Sequence, residues 1–307
     1  MHIALSNVIQ PMWDLLNNLA TLFDYHFMQN AYSAGTLVAI VAAIMGYFVV
    51  LRHQSFASHS LANVGFAGAT GAALFGVSPI IGLFVAGLLA AIGIQTLNLA
   101  SGERHHSDIG VGAIFTASLA LGFLFISLST AEYGASVYTV LFGNILGISD
   151  ADVSLIAWSA LVLMGIMFCI ARPLFFTSID PDVAAAQGVP VRTLAFVYLL
   201  LLALVVAVAV QVVGVLLIFA LLVTPAAIAQ DLTTRPMLAV IITVLLALLF
   251  VWAGLAVGYV TPYPVGFFIT TFAFATYLIV KGGRLLRQRR KRERLVASSE
   301  TQVGGVA

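Results

Sequence analysis

Three polar residues recur at intervals of four in the stretch SFASHSLANVGFAG, Ser55 to Gly68, between two apolar segments. On an α-helix, residues four apart lie on one face, so Ser55, His59 and Asn63 would form a single polar stripe. Inside a membrane such a stripe either lines a binding site or hydrogen-bonds to neighbouring helices. Which of the two applies depends on the elements that position the stripe.

The composition is that of a membrane protein. The chain has 307 residues, 62% of them hydrophobic and 8% charged, and its mean hydropathy is +1.10. Soluble domains are about 45–50% apolar and about 25% charged. We therefore expect an all-α, polytopic integral membrane protein with no sizeable soluble domain. The single cysteine, Cys169, excludes an intrachain disulfide and a cysteine-based metal cluster.

Apolar segments of about 20 residues occupy most of the chain, and each is long enough to cross a hydrocarbon core about 30 Å thick. The second is short, rich in glycine and partly polar, and only Gln211 and Gly214 separate the sixth from the seventh. Seven spans, or a re-entrant segment near Tyr138–Ile148, remain alternatives. The nine predicted spans are Ala31–Leu51, Ser58–Gly76, Ile80–Leu99, Ile109–Leu128, Val153–Ile170, Val191–Val210, Val212–Ala229, Met237–Val257 and Val265–Val280.

The basic residues predict the orientation, because Lys and Arg concentrate in short cytoplasmic loops. With nine spans and a cytoplasmic C-terminus, the N-terminus lies outside and all 13 basic residues lie on the cytoplasmic side. A count wrong by one span would scatter these charges to both sides, so an odd number of spans is favoured.

Three regions follow from this topology. Residues 1–30 form an extracytoplasmic segment whose apolar residues, from Met12 to Phe23, are typical of an interfacial helix. Residues 31–280 form the transmembrane domain, and residues 281–307 form a basic cytoplasmic tail that we expect to be disordered. Because residues 1–30 contain no Lys or Arg, we expect no cleaved signal peptide.

The chemistry that the sequence lacks narrows the function. The acidic residues lie in loops or at span ends, whereas ion-coupled transporters commonly place carboxylates inside the bilayer. Both lysines, Lys281 and Lys291, lie in the tail and not in a phosphate-binding loop, and the sequence has no metalloprotease or Gly-x-Ser-x-Gly motif. We therefore expect a transport pathway and not an enzyme, with its energy source in another polypeptide.

One cytoplasmic segment, TSIDPDVAAAQGVPVRTL, contains the signals of a short capped helix. Asp180 is a suitable N-cap, Pro181 suits the first helical position, and Gly188 followed by Pro190 ends the helix. A helix of about two turns is marginal in isolation. From these residues alone, the segment is either an ordinary capped loop or a docking element for a soluble partner.

The chain contains, in this order, FVVLRHQSFASHSL, SDIGVGAIF, LFGNILGIS, DPDVAAAQGVPVR and QVVGVLLIFALLVTPAAIAQ. Together these segments resemble the permease subunits of the ABC importers for zinc, manganese and iron, and the last two are the most specific. The resemblance implies a homodimer of this chain in the bacterial cytoplasmic membrane. It also implies two cytoplasmic ATPase subunits and an extracytoplasmic metal-binding protein that delivers the ion.

The resemblance also assigns roles to residues. It implies that the segment from Asp180 to Pro190 is a coupling helix seated in a cleft of the ATPase. No cofactor is expected to be bound permanently, since the metal ion is the substrate and ATP binds to the partner subunit. The residues assigned to ATPase coupling are Asp180, Pro181, Asp182, Gln187 and Gly188.

The polar stripe departs from the family pattern. Members commonly read DALSHA after LRRMSL, with the Asp and the His as metal ligands, whereas these positions are His59 and Asn63 here. Neutral imidazole is a good ligand for divalent metals, but an amide is a weak one. Our hypothesis is that Ser55, His59 and Asn63 line the translocation path, with His59 as the main transient ligand. The alternative is that they make interhelical hydrogen bonds.

Other polar residues are weaker candidates. Gln211, Thr224 and Pro225 either shape the path or only fit their helices to neighbours, because Pro225 frees a backbone carbonyl group and bends its helix. His26 either meets incoming metal or anchors the chain at the interface. A solvated loop is favoured over a metal site for one further group, which consists of Glu103, His105, His106 and Asp108.

The resulting prediction is ATP-driven import of a divalent metal ion by alternating access. ATP binding closes the ATPase pair, and the coupling helices transmit that movement to the spans. The alternatives are an ABC importer for a metal chelate or another small nutrient, and a secondary transporter that needs no ATPase. Zinc, manganese and iron remain equal candidates for the ion.

Overall fold

The computed structural model describes residues 22–101, 107–128 and 139–304. All the regular elements in these ranges are helical, as predicted. They are α1 (His26–Leu51), α2 (Ser55–Leu74), α3 (Pro79–Ser101), α4 (Ser107–Leu128), α5 (Asp150–Ile179), α6 (Pro181–Ala186), α7 (Val191–Val213), α8 (Val215–Leu222), α9 (Thr224–Leu232), α10 (Pro236–Val260) and α11 (Val265–Gly304), with 3-10 turns at Leu22–Asp24 and Ile145–Gly147.

The number of membrane spans in the described part of the chain is eight or nine, depending on whether α2 is counted. Within the described ranges, eight helices are long and apolar enough to cross a membrane, counting α8 and α9 together as Val215–Leu232. The expected polytopic, all-α architecture is confirmed. The predicted second span, α2, is not among the eight, although it has 20 residues. At about 1.5 Å per residue it is about 30 Å long, so its length suits a ninth span but its composition is too polar.

Other helices cover most of α2, which explains how a polar helix can lie in an apolar bundle. Most of its residues are buried, and it packs mainly against α3 and α4. A Cβ atom at Gly68 would overlap the backbone carbonyl group of Gly82 in α3, and a Cβ atom at Gly82 would overlap that of Gly68. Small residues therefore let the two backbones approach closely, as in many membrane helix pairs.

Replacing Gly68 by alanine is expected to lower the thermal stability of the purified protein, because the added methyl group forces α2 and α3 apart. Overpacking of this kind costs about 1–3 kcal/mol. The matched control is Gly165→Ala in α5, where an added Cβ meets no described atom within 4 Å and helix propensity rises. Equal unfolding midpoints for the two variants would contradict the close crossing.

Helix α7 forms the centre of the bundle, and both Tyr198 and Leu202 are fully buried on it. It contacts α1, α2, α3 and α5. The perimeter is also apolar, because Trp158, Phe168 and Ile279 are exposed. Exposed apolar residues on long helices are expected where the helices face lipid or another protein chain.

A single residue, Gly214, joins α7 to α8, so the sixth and seventh spans are separate helices as predicted, but they divide at Gly214 and not at Gln211. Its φ of 82° lies in the left-handed region that favours glycine. The described part of the proposed re-entrant segment, residues 139–148, lies against this corner. A Cβ atom at Gly143 would come within 2.5 Å of the Val212 carbonyl oxygen, so both glycines are required by close backbone contact.

Contacts between helix ends define two ends of the bundle. At one end, Arg52 after α1 hydrogen-bonds to Thr177 near the end of α5. At the other, Asn30 of α1 donates to Asp150 at the start of α5. We call the first the basic end, and the positive-inside rule predicts that it faces the cytoplasm. Its basic residues are Arg52, Arg172, Arg192, Arg235, Lys281 and Arg284.

Two span boundaries differ from the prediction. Helix α1 begins at His26, five residues before the predicted start at Ala31, and Met28 in its first turn is fully buried. Residues 1–21 of the proposed interfacial segment lie outside the described residues. Helix α5 continues to Ile179 although Arg172 and Pro173 suggest an earlier end. A proline removes one backbone hydrogen bond, and neighbouring contacts can offset that loss.

The structure also differs from the expected disordered tail, since α11 continues as a helix to Gly304. The sequence after Arg284 consists largely of Leu, Arg, Gln, Lys and Glu and contains no proline. These side chains are not branched at Cβ and have high helix propensity, so they favour continuation of the helix that the last span begins.

Candidate functional site

The helix brings His59 and Asn63 together on one face. The Nε2 atom of His59 lies 3.4 Å from the Nδ2 atom of Asn63, and this Nδ2 donates to the His59 carbonyl oxygen at 2.9 Å. Ser55 begins α2 one turn earlier, and its carbonyl oxygen accepts a hydrogen bond from Ser58. The polar stripe therefore occupies the first three turns of α2, the half that adjoins the basic end.

Two aromatic side chains flank the His59 ring. Its centroid lies 5.4 Å from that of Phe219 in α8, edge to face, and 5.8 Å from that of Phe115 in α4. Phe219 is 38% exposed, so this aromatic wall reaches the surface of the protomer. The His59 Nδ1 atom is buried and has no hydrogen-bond partner among the described residues. Within that part of the chain, His59 makes no hydrogen bond to another helix.

One protomer offers few ligands for a metal ion at this place. The described residues contain no group of three or more His, Cys, Asp or Glu side chains that could hold one. His59 and Asn63 supply two donor groups, whereas zinc usually takes four ligands and hard divalent cations take six or more. An ion bound here would need water or a second polypeptide to complete its coordination.

The predicted cytoplasmic helix is present as α6, Pro181–Ala186. The Asp180 carboxylate accepts hydrogen bonds from the backbone N–H groups of Asp182 and Val183 at 3.1 and 3.0 Å, as an N-cap does. Gly188 ends the helix with a φ of 84°. Only Ala184 of α6 is buried, so the helix presents most of its surface to solvent or to a partner.

The three path-shaping candidates lie in two different parts of the bundle. Gln211 lines a cavity of about 330 Å³ at the end opposite the basic end, and the lining includes Asn144 and Asp152 but neither His59 nor Asn63. Thr224 and Pro225 lie at the break between α8 and α9, with Pro225 buried in the first turn of α9. Gln211 therefore does not share a cavity with His59.

His26 lies beside a carboxylate at the same end as the cavity. Its Nδ1 atom is 3.6 Å from Oδ1 of Asp150, and both side chains are largely exposed. Asn30 donates to the same Asp150 oxygen at 2.7 Å. Glu103, His105 and His106 lie outside the described residues, and only the backbone of Asp108 is described.

Comparison with known proteins identifies the family. The model of the ABC 3 transport family matches residues 24–282, which is most of the chain. The chain belongs to the ABC 3 transport family. As an ABC 3 permease, it is the membrane subunit of an ABC transporter and is not itself an ATPase, so the secondary-transporter alternative is wrong.

Several relatives of this ABC 3 permease align with it over most of both chains. It is 30% identical to the manganese transport system membrane protein MntC of Halalkalibacterium halodurans over 89% of this chain and 95% of that protein. It is 32% identical to the manganese import system permease protein ScaB of Streptococcus parasanguinis, over 84% and 91%. The solved structure of PsaBC from Streptococcus pneumoniae in complex with Fab superposes with a TM-score of 0.76 at 29% identity, covering 88% of this chain and 95% of that one.

Sequence reasoning missed three residues around the site of this ABC 3 permease. Phe115 and Phe219 were not recognised as neighbours of His59, although each lies in a segment that carried the family resemblance, SDIGVGAIF and QVVGVLLIFALLVTPAAIAQ. Arg52 was counted only as a cytoplasmic charge. The sequence gives no signal that pairs either phenylalanine with His59, because those contacts join α2 to α4 and α8.

Proposed function

We propose that this permease imports a divalent metal ion, with Mn²⁺ as the first candidate, into the bacterial cytoplasm. The observation that carries the proposal is the His59–Asn63 pair, which places an imidazole without an interhelical hydrogen bond inside the bundle. The family is a transport family, and both curated relatives described above are named for manganese. An imidazole of this kind within the membrane domain of a transport protein supports a role for His59 on the path of the cargo.

A homodimer would supply the missing ligands. Two copies that face each other across their α2 surfaces would offer two imidazoles and two amides, and the Ser55 hydroxyl groups lie one turn away on each. Together with water, these groups suit a six-coordinate ion. They also bind it weakly, because amides are poor ligands and the family's carboxylate is replaced by His59. Weak binding suits a transporter, since a tightly held ion would not leave.

Zinc or iron is the second candidate for the ion. The presence of His59 in place of the family's aspartate favours these two metals. Imidazole suits zinc and iron, whereas manganese prefers carboxylate, carbonyl and water oxygens. The chain has a histidine at the position where the family commonly has an aspartate. Selectivity in this protein is therefore expected to shift towards softer ions relative to a permease with an Asp/His pair.

The proposed mechanism is alternating access driven by two ATPase subunits. Each binds one α6 helix through Asp180, Pro181, Asp182, Gln187 and Gly188, and an extracytoplasmic metal-binding protein delivers the ion at the opposite end. The break at Thr224 and Pro225 allows α8 to tilt relative to α9. Because Phe219 of α8 contacts His59, such a tilt would open or close the aromatic wall. Gln211 would shape the outer part of the path.

The test is energised uptake by proteoliposomes that contain the permease, its ATPase and its metal-binding protein. We expect ATP-dependent uptake of radiolabelled manganese, with competition by free zinc and iron ions and none by metal chelates. Competition by a chelate but not by free ions would favour the chelate importer instead. Uptake that needs no ATP would contradict the proposal.

A further inference from the structure

Arg52 follows α1 directly, and its side chain contacts both α5 and α7 at the basic end. Its Nη1 atom lies 3.4 Å from the Thr177 hydroxyl oxygen and 3.3 Å from that of Ser178, both in the last turn of α5. Its guanidinium carbon lies 5.1 Å from the centroid of the Tyr198 ring in α7, which is within cation–π distance. Since α6 lies between α5 and α7, Arg52 contacts the helices on both sides of the coupling segment.

The surroundings of Arg52 are unusual for a cation at a membrane surface. Thr177 is 5% exposed and Tyr198 is fully buried, and burial lowers the pKa of the Arg52 guanidinium below its usual value. The group nevertheless stays charged at neutral pH, because arginine does not lose its proton in proteins. Arg52 Nε and the Tyr198 hydroxyl group are buried without a hydrogen-bond partner among the described residues. Burying a charge with few partners costs free energy, so stability alone does not account for it.

Arg52 is also joined rigidly to the helix that carries His59. Only Arg52, His53 and Gln54 separate α1 from α2, and His53 has a φ of 55°. The Gln54 N–H group donates to the Val49 carbonyl oxygen at 2.9 Å, and the Gln54 carbonyl oxygen accepts from the Ser58 N–H group at 3.1 Å. The turn is hydrogen-bonded to the helices on both sides. His59 follows Ser55 by one helical turn, about 6 Å.

We propose that Arg52 is a positioning residue that couples the ATPase-docking helix α6 to the ion site on α2. A displacement of α6 moves the ends of α5 and α7, and Arg52 transmits that displacement through the three-residue turn to Ser55 and His59. The inference rests on the proposed docking of an ATPase at α6. It names the contacts of Arg52 as the route by which ATPase docking at α6 changes the position of the polar stripe.

The test compares uptake with ATP hydrolysis in the complete reconstituted transporter. For Arg52→Gln we expect the complex to assemble and hydrolyse ATP, while the number of ions imported per ATP falls by about two- to thirty-fold, the range for residues that modulate coupling between sites. Arg52→Lys keeps the charge near Tyr198 but loses the guanidinium fork, so we expect an intermediate ratio. Replacing Thr177 by valine and Ser178 by alanine together is expected to lower the ratio as well.

The matched control is Asp231→Asn, which removes the pairs with Lys281 and Arg284 at the same end of the bundle. These pairs join α9 to α11, and no hydrogen bond or ion pair among the described residues links them to α5 or α7, so the ratio of ions to ATP is expected to stay at the wild-type value. An unchanged ratio in Arg52→Gln, or equal losses of uptake and ATP hydrolysis, would overturn the role of Arg52. Failure of the wild-type complex to assemble or to import the ion would instead contradict the proposed function.

Discussion

Replacing His59 by alanine is expected to reduce metal uptake by at least about tenfold while the permease still assembles with its ATPase. Loss of a group that merely supports a metal ligand costs about 10- to 100-fold in many metal sites, so loss of the main ligand should cost no less. The measurement is initial uptake of radiolabelled manganese, zinc and iron, normalised to the amount of assembled transporter.

A pair of variants makes this prediction specific to ligation. The double replacement of His59 by aspartate and Asn63 by histidine restores the family's pair at these positions and is expected to retain uptake, with manganese favoured over zinc because a carboxylate is the harder ligand. Thr70→Val is the control on the same helix, since among the described residues the Thr70 hydroxyl group donates only within α2, to the carbonyl oxygens of Phe66 and Ala67. Normal uptake by His59→Ala would assign His59 to helix packing.

The spans and α6 could be predicted because their signals are local. A run of about 20 apolar residues predicts a span whatever its neighbours are. For α6, Asp180 and Gly188 act on the backbone within a few residues of themselves, as the hydrogen bonds to Asp182 and Val183 show. The sixth and seventh spans were predicted to divide at Gln211, three residues before Gly214, where the backbone adopts a conformation that favours glycine.

The ion site could be predicted only in part, because its walls come from distant segments. Residues His59 and Asn63 share a helix face, so their spacing was sufficient. Their neighbours Phe115 and Phe219 are 56 and 160 residues from His59 along the chain (115 − 59 and 219 − 59). Arg52 illustrates the same limit, since its contacts to Thr177 and Tyr198 depend on how α1, α5 and α7 pack.

Hydropathy alone misjudges α2 for a related reason. The scale assumes that each span faces lipid, whereas α2 faces α3 and α4 over most of its surface. A helix that is mostly covered by protein can carry a histidine, an asparagine and several glycines at little cost, because most of its surface meets other helices and not lipid. A helix that is too polar to face lipid can therefore hold a site where other helices cover it.

The second large effect is expected at the exposed face of α6, where Val183 is 45% exposed beside the fully buried Ala184. Replacing Val183 by glutamate is expected to weaken binding of the ATPase by at least about tenfold, or about 1.4 kcal/mol. An apolar side chain on a docking helix is buried in the complex, and burying an unpaired carboxylate there costs more than that. The measurement is the amount of ATPase that co-purifies with the permease, together with ATP-dependent uptake.

The substitution leaves α6 itself intact, which separates docking from folding. Val183 is the third residue of the helix after its N-cap, Asp180, and an acidic side chain at that position is favourable to the helix. Val183→Ile keeps the apolar surface and is expected to bind the ATPase as the wild type does. If the glutamate variant also binds the ATPase and imports metal normally, α6 is not the docking element. Arg52 would then have no movement to transmit from that helix.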